Sequence, residues 1–429
     1  MKISLVVPNV TKHIHGETFE PLGVLYIASG LCTEHDVQIV DSFNRKLNVE
    51  ETVKEVLSFE PDVVGISITM SPTAPFGKKV AQEVKQTLHI PVIVGGTHAT
   101  FAAEELVANP YIDIVVLHEG EVTFQEILKY LQGDTNLSTI KGIAFQHDGN
   151  TVKTQVREPL RDLDRIPFPA RHLLPDHRIY SRKHILSSRG CVFKCIYCAS
   201  SAMNQYRWRS RSPENVLKEM EIMASMYSST FYFADDNFPV NRERTLTLCK
   251  KIVETNLSMN WACLSRIEFM DDADLLQAMA RAGCREIFIG AESGSDRVLK
   301  KLKRNYTAED IKRVVKLCNY TGIATTVSFI VGNPFETLED VRRTFEVAAE
   351  LDTPNVAFHI FTPYIGTQAF ASPEAFGLTI LSDNPEDFDK NKEPVVETRY
   401  LTSEQIMDLY CESFGISLRK GRQRMWRPR

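Results

Sequence analysis

The 429-residue chain has no uninterrupted apolar run near the ~18 residues that a membrane span needs. It lacks a strong charge of either sign: 50 Lys plus Arg stand against 55 Asp plus Glu, a formal charge of −5. Such a balance makes no basic field for nucleic acid or an anionic membrane. Low-complexity segments are missing too, and 43% hydrophobic with 24% charged residues is ordinary globular composition. The chain opens directly into the strand-like Ile3-Ser4-Leu5-Val6-Val7, with no secretory signal pattern, so a cytoplasmic protein is expected. No Gly-x-Gly-x-x-Gly follows that strand, and the dinucleotide-binding fingerprint is therefore unmet.

An even, disulfide-like cysteine pattern is also absent. The nine cysteines fall at 32, 191, 195, 198, 249, 263, 284, 318 and 411. An odd number in a large chain without a signal points to reduced thiols. Six are isolated in apolar or amphipathic stretches and read as small buried hydrophobes. Three lie within eight residues, and that cluster calls for chemistry.

Short Val- and Ile-rich runs at residues 3–7, 37–40, 63–68, 91–94 and 112–117 alternate with amphipathic stretches such as 53–59, 77–88 and 124–131. This pattern predicts an α/β domain over residues 1–140 with a doubly wound parallel sheet. Ligands of such sheets sit beyond the carboxyl ends of the strands. The residues there are small and polar: Ser67, Thr69, Ser71 and Thr73, then Gly95-Gly96-Thr97-His98, then Glu119-Gly120-Glu121. Gly95-Gly96 reads either as a ligand approach or as a plain tight turn.

Residues 141–178 read as a hairpin around Asp148-Gly149-Asn150, then a proline-bearing connector ending near Pro175. A second βα series fills 179–372, with strands read at 184–187, 230–234, 260–264, 285–289, 324–331 and 356–362. Helices are read at 213–226, 242–254, 273–282, 308–320 and 338–351, with start signals at Ser212-Pro213 and Thr307. Six such units predict a partial (β/α)6 barrel, whose chemistry belongs at the carboxyl ends of its strands. Residues 373–429 form a small C-terminal region on the substrate side. Its last helix opens with a Thr402-x-x-Gln405 capping box, and its basic tail, 419–429, is read as solvated.

The first barrel strand runs into Cys191-x3-Cys195-x2-Cys198. Thiolates this close hold zinc or an iron–sulfur cluster, yet zinc structural sites supply four ligands. Three thiolates on a 4Fe–4S cluster leave one iron open to a substrate or cofactor.

This motif, so placed, resembles the radical S-adenosylmethionine superfamily. The resemblance implies that Cys191, Cys195 and Cys198 hold a 4Fe–4S cluster and that Tyr197 packs against the adenine of S-adenosylmethionine. Further segments match at successive strand ends: Asp235 in Phe233–Phe238, then Ser265-Arg266, then Gly290-Ala291-Glu292-Ser293, then Ser328 and Gly332-Asn333-Pro334-Phe335-Glu336-Thr337. By the same resemblance Asp235, Arg266, Gly290, Glu292 and Ser328 contact S-adenosylmethionine. Phe335 departs from the family's second glycine.

The N-terminal segments Pro21–Tyr26, Ser67–Thr73, Gly95–His98 and Glu119–Phe124 resemble the cobalamin-binding module of class B radical S-adenosylmethionine methyltransferases. This implies cobalamin held by Ser67, Thr69, Thr73, Gly95, Gly96, His98, Glu119 and Gly120. Asp-x-His-x-x-Gly, the source of a lower histidine ligand in other cobalamin proteins, is missing, and His13 and His15 stand without its Asp. The implied activity is methylation of an unactivated carbon of a small molecule or peptide. It proceeds through a 5′-deoxyadenosyl radical and cobalamin, with electrons from a flavodoxin- or ferredoxin-type donor. Radical rearrangement, oxidation or cyclisation without methyl transfer is the alternative; a non-catalytic cofactor carrier or a zinc structural role are weaker ones.

Overall fold

The protein is described here by a computed structural model covering residues 1–10, 18–174 and 176–425, with side chains to residue 420. His13, His15, Pro175 and residues 426–429 therefore lie outside the described residues, as do the side chains of 421–425. Of the tail read as solvated, Arg419 is exposed but Lys420 is buried, its ammonium donating to the Leu351 carbonyl at 2.5 Å. Backbone contacts divide the chain into two compact units: Met1–Lys183 with Ala202–Gln205, and His184–Ser201 with Tyr206–Arg429.

In the first unit, β1 (Lys2–Val7), β2 (Asp36–Asp41), β3 (Val63–Ser67), β4 (Val92–Gly95) and β5 (Ile114–Val116) form a parallel sheet. Both faces are covered by helices, so the strands are near-continuous apolar runs. The hairpin β6 (Ile143–His147) and β7 (Asn150–Lys153) extends the sheet in the antiparallel sense, giving the order β2-β1-β3-β4-β5-β6-β7. The connector after it is packed rather than free. Ala170, Leu174 and Tyr180 join the core of this unit, and the buried Arg171 Nε lies 3.2 Å from Glu20 Oε2.

The second unit begins at β8 (His184–Ile185). Two short antiparallel strands, β9 (Ser188–Arg189) and β10 (Arg209–Ser210), bracket the cysteine loop at its base. The remaining barrel strands are β11 (Thr230–Phe233), β12 (Asn260–Ser265), β13 (Cys284–Glu292), β14 (Ala324–Val331) and β15 (Asn355–Ile360). All pair in parallel in the order β15-β14-β13-β12-β11-β8, an open (β/α)6 arrangement. Alternation sets the faces: on β14 Thr325, Val327, Phe329 and Val331 are buried, while Thr326, Ser328 and Ile330 on the other face are half-buried.

Helix starts follow their side-chain caps. Ser212 accepts the amide of Asn215, Thr307 forms a capping box with Asp310, and Thr402 exchanges hydrogen bonds with Gln405. The C-terminal region is part of the barrel's packing. β16 (Leu378–Ile380) pairs with β17 (Val396–Thr398), and the helix Ser403–Met425 puts Ile406, Leu409, Tyr410 and Ile416 into the barrel core. The isolated cysteines divide by location: Cys249, Cys263, Cys284 and Cys318 are buried, Cys32 is intermediate and Cys411 is exposed. The reading of all six as buried thus holds at four and fails at the half-buried Cys32 and at the exposed Cys411. Among the described residues no helix is long and apolar enough to cross a membrane.

Candidate active site and cofactor sites

The cysteine loop is held down from beneath by the two carboxylates that follow β11. Asp235 is buried and accepts the amide (2.7 Å) and hydroxyl (2.6 Å) of Ser187 and the hydroxyl of Ser188. Asp236 accepts the amide of Gly190 at 3.0 Å and the hydroxyl of Ser200. Burial still pushes both carboxyls above the usual range, so this anchoring is made at an electrostatic cost. Asp235, expected at S-adenosylmethionine, here fastens the chain that enters the loop.

Cys191, Cys195 and Cys198 are all partly open to solvent. Burial raises the Cys191 thiol, and pushes Cys198 to about 11, while backbone amides of Phe193, Ser200 and Ser201 act in the opposite direction. Cys195 receives a side-chain donor, Arg266 Nη1, at 3.5 Å. The amides and the guanidinium offset part of the cost of a thiolate, the form that ligates metal. Among the described residues no group of three or more His, Cys, Asp or Glu is arranged for a single metal ion. The donor set fits the cluster.

Beside the loop lies a buried network absent from the sequence expectation. Arg304 donates to the Tyr197 hydroxyl and, at 2.6 Å, to Glu292 Oε1. Tyr306 donates to the carbonyls of Gly290 (3.1 Å) and Ala291 (3.3 Å). Glu292 sits at φ 64°, a left-handed conformation unusual for a non-glycine residue, where β13 shifts register against β14. Gly290 leaves its carboxylate room: a Cβ there would stand 2.7 Å from Glu292 Oε1. Ser328 pairs directly with Gly290 across the sheet, and its hydroxyl donates to the Ile289 carbonyl at 3.4 Å. Tyr197, Gly290, Glu292 and Ser328 are thus linked through one small region. Phe335 packs edge-on against Phe376, 6.3 Å between centroids, and joins the apolar patch over Ile196.

Arg304 had a weak sequence signal, since it ends the basic run Lys300-Lys301-Leu302-Lys303-Arg304, which reads as a solvated face. In the fold it is 8% exposed. Glu268, which takes the fork of Arg266 through Nε at 3.2 Å, carries no motif in the sequence.

The first unit carries the other expected ligand edge. Ser67, Gly95 and Gly120 are half-buried, Thr69 is exposed, and Met70 is 43% exposed although large and apolar. That ledge of small side chains with an apolar tip fits a broad ligand. Gly96 is required by the backbone: φ is 107°, and a Cβ would meet the Ile68 carbonyl oxygen at 2.6 Å. Gly95 has no such requirement, its Cβ falling 3.5 Å from Val116. His98 is turned inward, with Nδ1 3.1 Å from Ser71 Oγ and Nε2 buried without a protein partner. Thr73 bonds back to the Met70 carbonyl at 2.8 Å, and Glu119 Oε2 accepts the amide of Leu160 at 3.2 Å.

The comparisons agree with both units. Residues 185–348 match the radical SAM superfamily, and residues 13–128 match the B12-binding domain. A protein of Pyrococcus horikoshii named as an uncharacterized methyltransferase is 33% identical over 425 residues, covering 96% of this chain and 92% of that one. The anaerobic magnesium-protoporphyrin IX monomethyl ester cyclase of Rubrivivax gelatinosus is 26% identical, covering 91% of this chain and 71% of its own. The fold also matches the radical S-adenosylmethionine methyltransferase TsrM of Kitasatospora setae, solved with cobalamin and a 4Fe–4S cluster, at TM-score 0.79 and 18% identity over 97% of this chain and 90% of that one. The cofactors that go with these two domains are a 4Fe–4S cluster, S-adenosylmethionine and cobalamin. The chain belongs to the cobalamin-dependent radical S-adenosylmethionine enzymes of the methyltransferase family, with a B12-binding domain ahead of its radical SAM domain.

Proposed function

We propose that the enzyme methylates an unactivated carbon of a small molecule or peptide, in the cytoplasm, with electrons from a flavodoxin- or ferredoxin-type donor. The observation that carries this reading is the cysteine loop: three thiols at the mouth of a parallel barrel, faced by amides and a guanidinium. An unactivated C–H has no acidic proton, so side-chain acids and bases have no purchase on it and a cofactor must supply the reactivity. When bound, the cluster and S-adenosylmethionine supply a carbon-centred radical, and cobalamin carries the methyl group.

The chain's own part is holding and orienting. Cys191, Cys195 and Cys198 ligate the cluster. Tyr197, Gly290, Glu292 and Ser328 receive S-adenosylmethionine, with Arg266 at the cluster's edge and Asp235 fixing the loop from below. Arg304 keeps the Tyr197 ring and the Glu292 carboxylate in one orientation. Ser67, Thr69, Thr73, Gly95, Gly96, His98, Glu119 and Gly120 shape the cobalamin edge; Gly96 does so through its backbone and His98 by holding the Ser71 hydroxyl.

The cyclase named among the relatives favours a second reading, radical cyclisation without methyl transfer. Anaerobic reconstitution with iron, sulfide and hydroxocobalamin, followed by gel filtration and metal counting, separates the two. About four irons and about one cobalt per chain are expected. S-adenosylhomocysteine should then form together with 5′-deoxyadenosine under a strong reductant. Iron without retained cobalt, or 5′-deoxyadenosine alone, overturns the methyl-transfer reading in favour of the cyclase type.

A further inference from the structure

The resemblance places Arg266 at S-adenosylmethionine, yet its fork is already closed. Nε and Nη2 both reach the carboxylate of Glu268, and the remaining nitrogen, Nη1, points to Cys195 Sγ at 3.5 Å. The guanidinium carbon lies 3.6 Å from the ring centroid of Phe193, a residue of the cysteine loop itself. Arg266 is 7% exposed, so stacking, ion pair and sulfur contact fix one geometry out of water. A second buried guanidinium, Arg304, is within electrostatic reach of the same sulfur.

We propose that Arg266, clamped between Phe193 and Glu268, is a positioning residue for electron uptake: its N–H on Cys195 Sγ raises the reduction potential of the cluster. The proposal rests on the reading that Cys191, Cys195 and Cys198 bind that cluster. Its physical basis is charge. One electron arriving from a low-potential donor adds one negative charge to the cluster and its thiolates, and no protein bond forms or breaks. A cationic donor at a ligand sulfur stabilises that added charge more than it stabilises the oxidised state. Cys191 and Cys198 receive backbone amides, which substitutions leave in place; the Cys195 donor is a side chain and can be tuned. Glu268 makes the effect adjustable in both directions, because its carboxylate offsets the charge that Arg266 presents.

The test is a redox titration of the reconstituted protein without S-adenosylmethionine, followed by electron paramagnetic resonance, on wild type, R266M, R266K, E268Q and F193L. Iron and sulfide counts on each sample come first. Wild type without iron removes the cluster reading and this proposal together. With clusters loaded, R266M is expected to lower the reduced-to-oxidised ratio at the wild-type midpoint about tenfold, 59 mV for a one-electron couple. R266K should fall between, and F193L should shift less in the same direction. E268Q should shift the opposite way, since it leaves the guanidinium charge uncompensated. A merely structural role does not produce opposite signs from the two partners of one ion pair. If R266M fails to load, E268Q and F193L decide. Loaded variants with an unchanged midpoint overturn the proposal.

Discussion

Arg304 Nη2 and Glu292 Oε1 are 2.6 Å apart, with only 4% and 12% of their side chains exposed. This ion pair joins the turn after the short helix Asp296–Lys301 to the left-handed last residue of β13, and Tyr197 is tied to the same guanidinium. Removing one partner leaves a buried charge alone, which costs about 3–5 kcal/mol. R304M is therefore expected to lower the urea midpoint strongly, and the double variant R304M/E292Q to regain most of that loss. S-adenosylmethionine binding, read by calorimetry, should stay weak in both. A double variant as unstable as R304M would remove the pair as the cause.

Neighbouring glycines should behave differently. G96A forces a Cβ to 2.6 Å from the Ile68 carbonyl at a positive φ, whereas G95A meets Val116 at an ordinary 3.5 Å. G96A should destabilise the protein by more than about 1 kcal/mol, a strained φ alone being worth that much. G95A should unfold like wild type. Chemical denaturation of the two side by side checks this, and equal midpoints would show that the turn relaxes.

His98 gives the first unit a pH signature. Burial, helped by Lys78 and opposed by Glu105, lowers its imidazole to about 4 from an ordinary 6.5. The unfolded chain then binds more protons between those values, so stability is whole above pH 6.5 and is lost as pH falls toward 4. The shift corresponds to at most about 3 kcal/mol. H98Q should flatten the stability profile in that window; an unchanged slope would assign the acid sensitivity elsewhere.

Glu336 acts with the opposite sign. It is fully buried and accepts the amides of Gly332 (3.0 Å) and Asn333 (3.1 Å), yet burial outweighs them and pushes its carboxyl up to about 8. Its folded value lies above the unfolded 4.5, so its contribution is whole below about 4.5 and fades as pH rises through about 8. E336Q keeps an acceptor for both amides and stays neutral. It should be more stable than wild type at pH 9 and no better at pH 5, as thermal unfolding at the two values would reveal.

Much of the architecture was legible because its causes are local. Val- and Ile-rich runs with turn residues between them located the parallel strands, and Ser212, Thr307 and Thr402 marked helix starts through caps that span three residues. The Asp148–Asn150 turn was visible as a hairpin. That the hairpin extends the first sheet was not, since pairing with β5 depends on where that strand's edge lies in space. The burial of single side chains was the hardest to place. Arg304 looks like the end of a solvated basic run and is buried, while Cys411 looks like a buried hydrophobe and is exposed.

The sequence by itself determined the ligand-bearing loop, Cys191-x3-Cys195-x2-Cys198, and the order of the strand ends around it, because covalent spacing and side-chain periodicity need no partner. Only the tertiary structure decided what faces those sulfurs. Arg266 is 71 residues from Cys195 along the chain, and Arg304 is 107 from Tyr197. Such contacts exist only once the barrel strands have aligned. A guanidinium is worth more there than on the surface, because burial removes the water that would otherwise screen it.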